Sequence, residues 1–334
     1  MFEYISSDVI KKLDKPILTA KDIPYDASLI FNAGVIKHNG KYVMIFRNDY
    51  GCTREEFENG GDFKGTSVGI AFSDNGIDNW KVAPKPLIDS KDYAGTKIRR
   101  LYDPRITKIE DTIYLCLAMD TANGIRGCVA KLNDTLDEIE ILSLSTPDNR
   151  NMVLFPEKIG GLYYRLERPM PVYSRGGRDR FDTWISASPD LRYWGDSEAV
   201  ITVNDIPFAN DKIGPAAPPI KTDKGWLTLF HAVDRDDENR GKNGWETSWT
   251  KRYMAGIMLL DLENPSKVIG IYKKPLIVAD KEFENKDGFR CDAIFPCGML
   301  LEEDGTVKIY YGAGDIVTCL ATADVNDLIA LCVD

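Results

Sequence analysis

Short strand-like apolar runs dominate the chain, and convincing amphipathic helices are scarce. One pattern recurs five times: an apolar run, a short polar turn with Gly or Asp, then an aromatic-rich run. It reads GVIKHNGKYVMIFRND from Gly34, RITKIEDTIYLCLAMD from Arg105 and LFPEKIGGLYYRLERP from Leu154. It returns as PPIKTDKGWLTLFHAVD from Pro218 and GMLLEEDGTVKIYYGAGD from Gly298. The turns Asn39-Gly40, Glu110-Asp111, Gly160-Gly161, Lys224-Gly225 and Asp304-Gly305 suit tight hairpins. A second hairpin-like segment follows each first one: SVGIAFSDNGIDNWKV, GCVAKLNDTLDEIEIL, DTWISASPDLRYWGD, YMAGIMLLDLENPSKVI and TCLATADVNDLIALCV.

Two hairpins make four strands, and four strands make one propeller blade. Five such units predict an all-β, five-bladed β-propeller, a single domain over residues 1–334 with a central active-site channel. Radial repetition also limits the exposed strand edges that so many short strands would otherwise create. A pair of β-sandwiches or a β-helix is the competing arrangement. The segment before about residue 25 reads as an arm or as part of blade closure. The polar stretch DRDDENRGKNGWETSWTKR, Asp234 to Arg252, reads as a surface loop inserted in the fourth unit. Its Trp245 and Trp249 suit a lid or a sugar-stacking platform, or a ring tucked locally against the loop.

Composition narrows the function classes. The 334 residues are 43% hydrophobic and 28% charged, ordinary for a globular protein and long enough to bury a core without a disulfide or metal staple. The net charge of −10 argues against non-specific binding to nucleic acid or to an anionic membrane. No apolar run is long enough to span a bilayer, and the start MFEYISSDVIKKLDKP has no apolar core after a basic segment. The seven cysteines are odd in number, scattered and free of any CxxC pair, which suits reduced thiols in a cytoplasmic protein. With His38 and His231 the only histidines, no clustered metal site is expected.

Propellers build their sites where the innermost strands converge, so the ends of the first-hairpin strands are informative. They are unusually polar: Asn32, Arg47 and Asp49 in the first unit, and Tyr102, Asp103 and Arg105 in the second. Arg150 and Arg168 follow in the third, Lys212 and His231 in the fourth, and Asp292 and Asp315 in the fifth. Gathering Arg150, Arg168, Lys212 and His231 in one place is costly unless an anion neutralises them, and guanidinium forks suit phosphate oxygens. Asp103, between Tyr102 and Pro104, could have its pKa raised in a closed channel and act as a general acid. Taken singly, each has a plainer role: a salt-bridged surface cation, a turn aspartate, a satisfied core histidine.

At these residues the chain resembles glycoside hydrolase family 130, the inverting β-mannoside phosphorylases and their hydrolytic relatives. The resemblance runs from about residue 30 to the end through FNAGVIKHNGKYVMIFRND, YDPRITKIEDTIY, NRNMVLFPEKIGG, ERP from Glu167, SASPDLRYWG, KIGPAAPPIKTDKGWL, FHAV from Phe230, LLDLENPSKV, FPCG and YYGAGD. It implies a five-bladed propeller, with Asp103 as catalytic acid and phosphate held by Arg150, Arg168 and Lys212, with His231 and Tyr253 nearby. It also implies that Asn32, Arg47, Asp49, Tyr102 and Asp315 line a mannosyl site. Copies of the chain are expected to be able to associate, although no interface is legible. Two stretches depart from the family, PMPVYSRGGRDRFDTW and the segment around Trp245, and both are expected on the leaving-sugar side.

An inverting hydrolase needs two carboxyls with a water between them. A phosphorylase needs only the acid, because phosphate is itself an anionic nucleophile, together with cations that hold it opposite the leaving group. The expected reaction is therefore phosphorolysis of a β-mannoside to α-mannose 1-phosphate. Inorganic phosphate is a co-substrate, and no metal or organic cofactor is expected. A β-mannosidase of the same fold and a non-catalytic sugar-binding propeller are the alternatives.

Overall fold

The structure is a computed structural model that describes residues 3–170, 180–238, 241, 245, 250–285 and 287–333. Two residues of the N-terminal segment form β1 (Lys11–Lys12). Blade 1 runs outward from β2 (Leu29–His38) through β3 (Lys41–Tyr50) and β4 (Gly65–Ser73) to β5 (Lys81–Val82), with β6 (Ile88–Asp89) also on β4. The helix α1 (Arg54–Glu58) lies in its β3–β4 connection. Blade 2 follows as β7 (Ile98–Ile109), β8 (Thr112–Thr121), β9 (Gly124–Leu132) and β10 (Ile139–Leu144). Blade 3 is β11 (Asn149–Leu154), β12 (Tyr163–Pro169), β13 (Thr183–Ser188) and β14 (Gly195–Ile201).

Blade 4 has β15 (Lys212–Pro215) innermost and β16 (Ile220–Lys221) beside it on β17 (Trp226–Asp236), followed outward by β18 (Thr250–Leu260) and β19 (Val268–Ile271). Blade 5 is β20 (Ile294–Leu301), β21 (Thr306–Ala313) and β22 (Val317–Asp324), and the helix α2 (Val325–Val333) follows it. The expected five-bladed propeller is what the chain forms, with every blade antiparallel throughout.

The near-continuous apolar runs of the inner strands are explained by where the cores sit, on both faces of each blade. A separate apolar cluster fills each gap between neighbouring blades. Blades 1 and 2, for example, share Ile45, Val68, Leu101 and Leu115, and blades 4 and 5 share Leu229, Ile257, Ile309 and Ala321. Near the axis the inner strands approach backbone to backbone. A Cβ on Gly34 would lie 2.9 Å from the amide nitrogen of Ile106 on the next blade, so glycine is the residue that fits there.

The fifth unit departs from expectation. Its segment TCLATADVNDLIALCV is not a hairpin: only Val317–Asp324 is a strand, and LIALCV belongs to α2. The Asp324 carboxylate accepts from the backbone N–H of Asn326 at 2.8 Å, which caps the first turn. Leu328 and Cys332, four residues apart, then share one buried face against the blade 4–5 core. The outer strand of blade 5 is supplied instead by β1, paired antiparallel with β22 through Lys11–Thr322 and Lys12–Ala321. Lys12 fastens this closure: its ammonium donates to Val278 O at 2.6 Å, Glu284 Oε2 at 2.7 Å and Asp280 Oδ1 at 2.9 Å.

Candidate active site

The innermost strands carry their polar side chains on a repeated backbone device. In β2, β7 and β11 the ladder to the neighbouring strand slips at a bulge, and one residue of each bulge takes a left-handed conformation. Those residues are Asn32 (φ 53°), Asp103 (φ 53°) and Asn151 (φ 58°). Asn and Asp tolerate this conformation better than other side chains bearing a Cβ. Here it places short polar groups from different blades around one axial cavity.

That cavity has a volume of about 320 Å³. Among the expected residues, Asn32, Arg47, Tyr102, Asp103, Arg150, Arg168, Lys212, Tyr253 and Asp315 all line it. Asp49 and His231 do not. Both are fully buried behind the wall. Arg105 lies beneath it, donating through Nε to Ala216 O at 2.9 Å. Asp292 also stands outside, accepting from Asn285 Nδ2 at 2.9 Å.

On one side lies a carboxylate–guanidinium network. Asp103 Oδ1 accepts from Asn32 Nδ2 at 2.8 Å and from Arg47 Nη1 at 3.0 Å. Arg47 also donates to Asp49 Oδ2 through Nη2 at 2.6 Å and Nε at 3.0 Å. This overturns the expectation that the channel raises the Asp103 pKa. Burial alone would raise it, but the Arg47 and Arg105 charges and the Asn32 hydrogen bond outweigh burial and hold it at about 2. Asp315 behaves oppositely: burial pushes its pKa up despite Arg290, whose Nε lies 3.3 Å from Oδ2.

The other side is cationic. Arg150 Nε and Arg168 Nε and Nη2 are buried and have no hydrogen-bond partner. Among the described residues no carboxylate pairs with either guanidinium. Burial, reinforced by the nearby Arg150 charge, lowers the Arg168 pKa to about 9. Arg168 Nη1 lies 2.8 Å from His231 Nε2. A guanidinium can only donate, so Nε2 accepts, and the ring proton sits on Nδ1, 3.2 Å from Pro215 O. Burial and then the Arg168 charge hold the imidazole pKa well below its ordinary value, so it is neutral. His231 is therefore not a fourth cation of the pocket but a prop for Arg168. Gly214 makes room for both: a Cβ there would lie 2.5 Å from the imidazole and 2.8 Å from Arg168.

Several lining residues escaped the sequence reading. Arg100 precedes Tyr102 by two positions on β7, so it shares that face. Asp120 is the penultimate residue of β8, as Asp49 is of β3. Asn151 repeats the Asn32 and Asp103 pattern, a signal visible in the repeats. Arg290 sits just ahead of β20, and only the fold reveals it.

The insertion differs from expectation too. Strands β17 and β18 run on as a paired ladder to Asp236 and Thr250, so Asp234 and Arg252 are strand residues facing one another. Trp245 packs among Phe57, Phe63 and Phe289 and stands over Arg47 and Arg100, with ring centroids 5.8 and 5.6 Å from the two guanidinium carbons. It therefore covers the carboxylate–guanidinium side of the cavity. Trp249 and residues 171–179 lie outside the described residues.

A five-bladed propeller with a buried carboxylate on one side of an axial cavity, and on the other two guanidinium groups that no described carboxylate pairs with, is built to take a polar substrate together with an anion. The chain belongs to glycoside hydrolase family 130: the family profile, described as beta-1,4-mannooligosaccharide phosphorylase, matches residues 9–334. It is 32% identical over 329 residues to a 1,2-beta-oligomannan phosphorylase of Thermoanaerobacter sp. strain X514, covering 96% of this chain and 98% of the relative. It is 30% identical over 334 residues to a beta-1,4-mannooligosaccharide phosphorylase of Ruminococcus albus, covering 96% and 90%. In fold it matches the beta-1,2-mannobiose phosphorylase from Listeria innocua in complex with beta-1,2-mannobiose, at TM-score 0.78 and 24% identity over 96% of this chain and 98% of the other. Among the described residues no group of three or more His, Cys, Asp or Glu could hold a metal ion, and no helix is long and apolar enough to cross a membrane.

Proposed function

We propose that the protein is an inverting phosphorylase that cleaves the terminal β-mannosyl unit of a β-linked manno-oligosaccharide with inorganic phosphate. The observation that carries this is the pair of buried guanidinium groups, Arg150 and Arg168, with donors unpartnered and no carboxylate among the described residues to neutralise them. Such groups are costly to bury and match the geometry and charge of a phosphate dianion. Lys212 and Tyr253 line the same cavity and complete the anion cradle. Asn32, Arg47, Tyr102 and Asp315 hold the mannosyl unit, and Asp49 fixes Arg47 from behind. Trp245, over Arg47, walls that end.

Phosphate oxygen forms a bond to C1 of the mannosyl unit as the bond from C1 to the leaving oxygen breaks, with inversion to α-mannose 1-phosphate. Asp103 gives its proton to the leaving oxygen, directly or through a sugar hydroxyl, and the proton that phosphate loses on attack restores the carboxyl through solvent. Asp103 must first become protonated. A dianion among the cations offsets part of the field that holds its pKa low, so phosphate binding arms the acid.

A hydrolase would need a carboxylate holding water on the face occupied by Arg150 and Arg168. The cavity carboxylates Asp103, Asp120 and Asp315 are each engaged by arginine or tyrosine partners instead. No cofactor is required in this scheme. We place the reaction in the cytoplasm, on the seven free thiols that a reducing compartment preserves. The test is to incubate β-1,2- and β-1,4-linked manno-oligosaccharides with and without inorganic phosphate. Mannose 1-phosphate should form only with phosphate, and equal release of free mannose without it would refute the proposal.

A further inference from the structure

We propose that Asp120 is a positioning residue for the anion cradle, acting through the Tyr102 hydroxyl to aim Arg150; this rests on the phosphate reading of Arg150 given above. The geometry begins in the β7–β8 ladder. Arg100 pairs with Asp120 across the strands, and Tyr102, two residues on, shares the face of Arg100. The Tyr102 hydroxyl donates to Asp120 Oδ1 at 2.7 Å. Arg150 Nη1 lies 3.4 Å from the same hydroxyl oxygen.

A phenol has one proton, and a guanidinium can only donate. With the Tyr102 proton committed to Asp120, the lone pairs of its oxygen are the part left for Arg150. Without Asp120 the hydroxyl can rotate and present its proton toward a cation. This matters because Tyr102 is the one hydrogen-bond partner that Arg150 has among the described residues. The aim of a buried phosphate-facing guanidinium thus hangs on one hydroxyl, and that hydroxyl is oriented by one carboxylate.

Asp120 also closes a chain of alternating charge between the two halves of the cavity. Its Oδ2 lies 3.8 Å from Arg100 Nη1, and Arg100 Nη2 lies 3.3 Å from Asp49 Oδ1. Asp49 holds Arg47, and Arg47 holds Asp103. The carboxylate at Asp120 therefore ties the anion side to the acid side through Arg100, Asp49 and Arg47.

The test measures inorganic phosphate affinity by calorimetry, and KM for phosphate and for the mannoside, in Asp120→Ala, Asp120→Asn, Tyr102→Phe, the Asp120→Ala/Tyr102→Phe double variant and Arg150→Ala. Asp120→Ala is expected to weaken phosphate about tenfold, the scale of one hydrogen bond to a charged group, with mannoside KM within about twofold of wild type. Asp120→Asn, whose amide oxygen still accepts the hydroxyl, should recover much of that loss but remain weaker than wild type. The double variant should be no worse for phosphate than the poorer single one, because both act through one hydroxyl. Unchanged phosphate affinity in Asp120→Ala while Arg150→Ala loses it overturns this inference alone, as does additivity in the double variant or a loss confined to mannoside KM. Unchanged phosphate affinity in Arg150→Ala overturns the phosphate reading itself. If Asp120→Ala does not fold, Asp120→Asn decides, and wild-type phosphate affinity there counts against the proposal.

Discussion

Proton delivery needs a protonated Asp103, yet burial against Arg47, Arg105 and Asn32 leaves its pKa at about 2 because the charges outweigh burial. A general acid loses activity as pH rises through its pKa, and a bound dianion raises that pKa. The falling limb of the pH–rate profile should therefore move to higher pH as phosphate goes from limiting to saturating, and a limb that stays fixed would contradict the account. Asp103→Asn should lower kcat by about 10²–10⁴-fold while leaving calorimetric phosphate binding in place. Arg168 is the counterpart. At neutral pH the fold bears the cost of holding its charge, and that cost shrinks only as pH rises through about 9. Arg168→Ala should leave the phosphate-free protein at least as stable as wild type in thermal melts, and should weaken phosphate. The residue types at Asp103, Arg150 and Arg168 were legible in the repeats. The direction of the Asp103 shift was not, because it depends on Arg47 and Asn32 arriving from another blade. Which of the two roles open to His231 applies was not legible for the same reason: only the fold puts Arg168 against it.

Elements differ in how plainly the chain announces them. The first hairpins were legible because each couples an apolar run to a Gly- or Asp-bearing turn, as at Asn39-Gly40 and Asp304-Gly305. LIALCV read as a strand since a short apolar run fits either element, and the Asp324 cap with Leu328 and Cys332 on one face settles it as helix. Strand β1 has only two paired residues and no pattern to reveal it. Its hold comes from Lys12, whose side chain is 6% exposed against a Glu284 side chain at 0%. Removing one partner of a buried ion pair typically costs about 3–5 kcal/mol. Lys12→Ala should lower the melting temperature by several degrees with both Michaelis constants unchanged, and a wild-type melting temperature would show that Lys12 does not secure the closure.

At the scale of the molecule, the five inter-blade cores hold the inner strands around one axis, and the anion cradle draws on two neighbouring blades: Arg150 and Arg168 on blade 3, Lys212 and Tyr253 on blade 4. An ion bound there stabilises the ring as a whole by mass action, about 2.7 kcal/mol at a hundredfold excess over Kd. Inorganic phosphate should raise the melting temperature of the wild type and not that of Arg150→Ala/Arg168→Ala. The propeller was legible in the chain because repetition multiplies a weak local signal five times. The completed cavity was not, since Arg100 and Arg290 carry no repeat of their own, and Asp120 matches Asp49 only in its place near a strand end. The central claim is that phosphate, not water, attacks the mannosyl carbon. It is tested most directly by following the reaction of a β-manno-oligosaccharide and phosphate by proton and phosphorus NMR in ¹⁸O-enriched water. The account predicts that the first product is α-mannose 1-phosphate with no ¹⁸O at C1. Free mannose carrying ¹⁸O at C1 as the first product would contradict it.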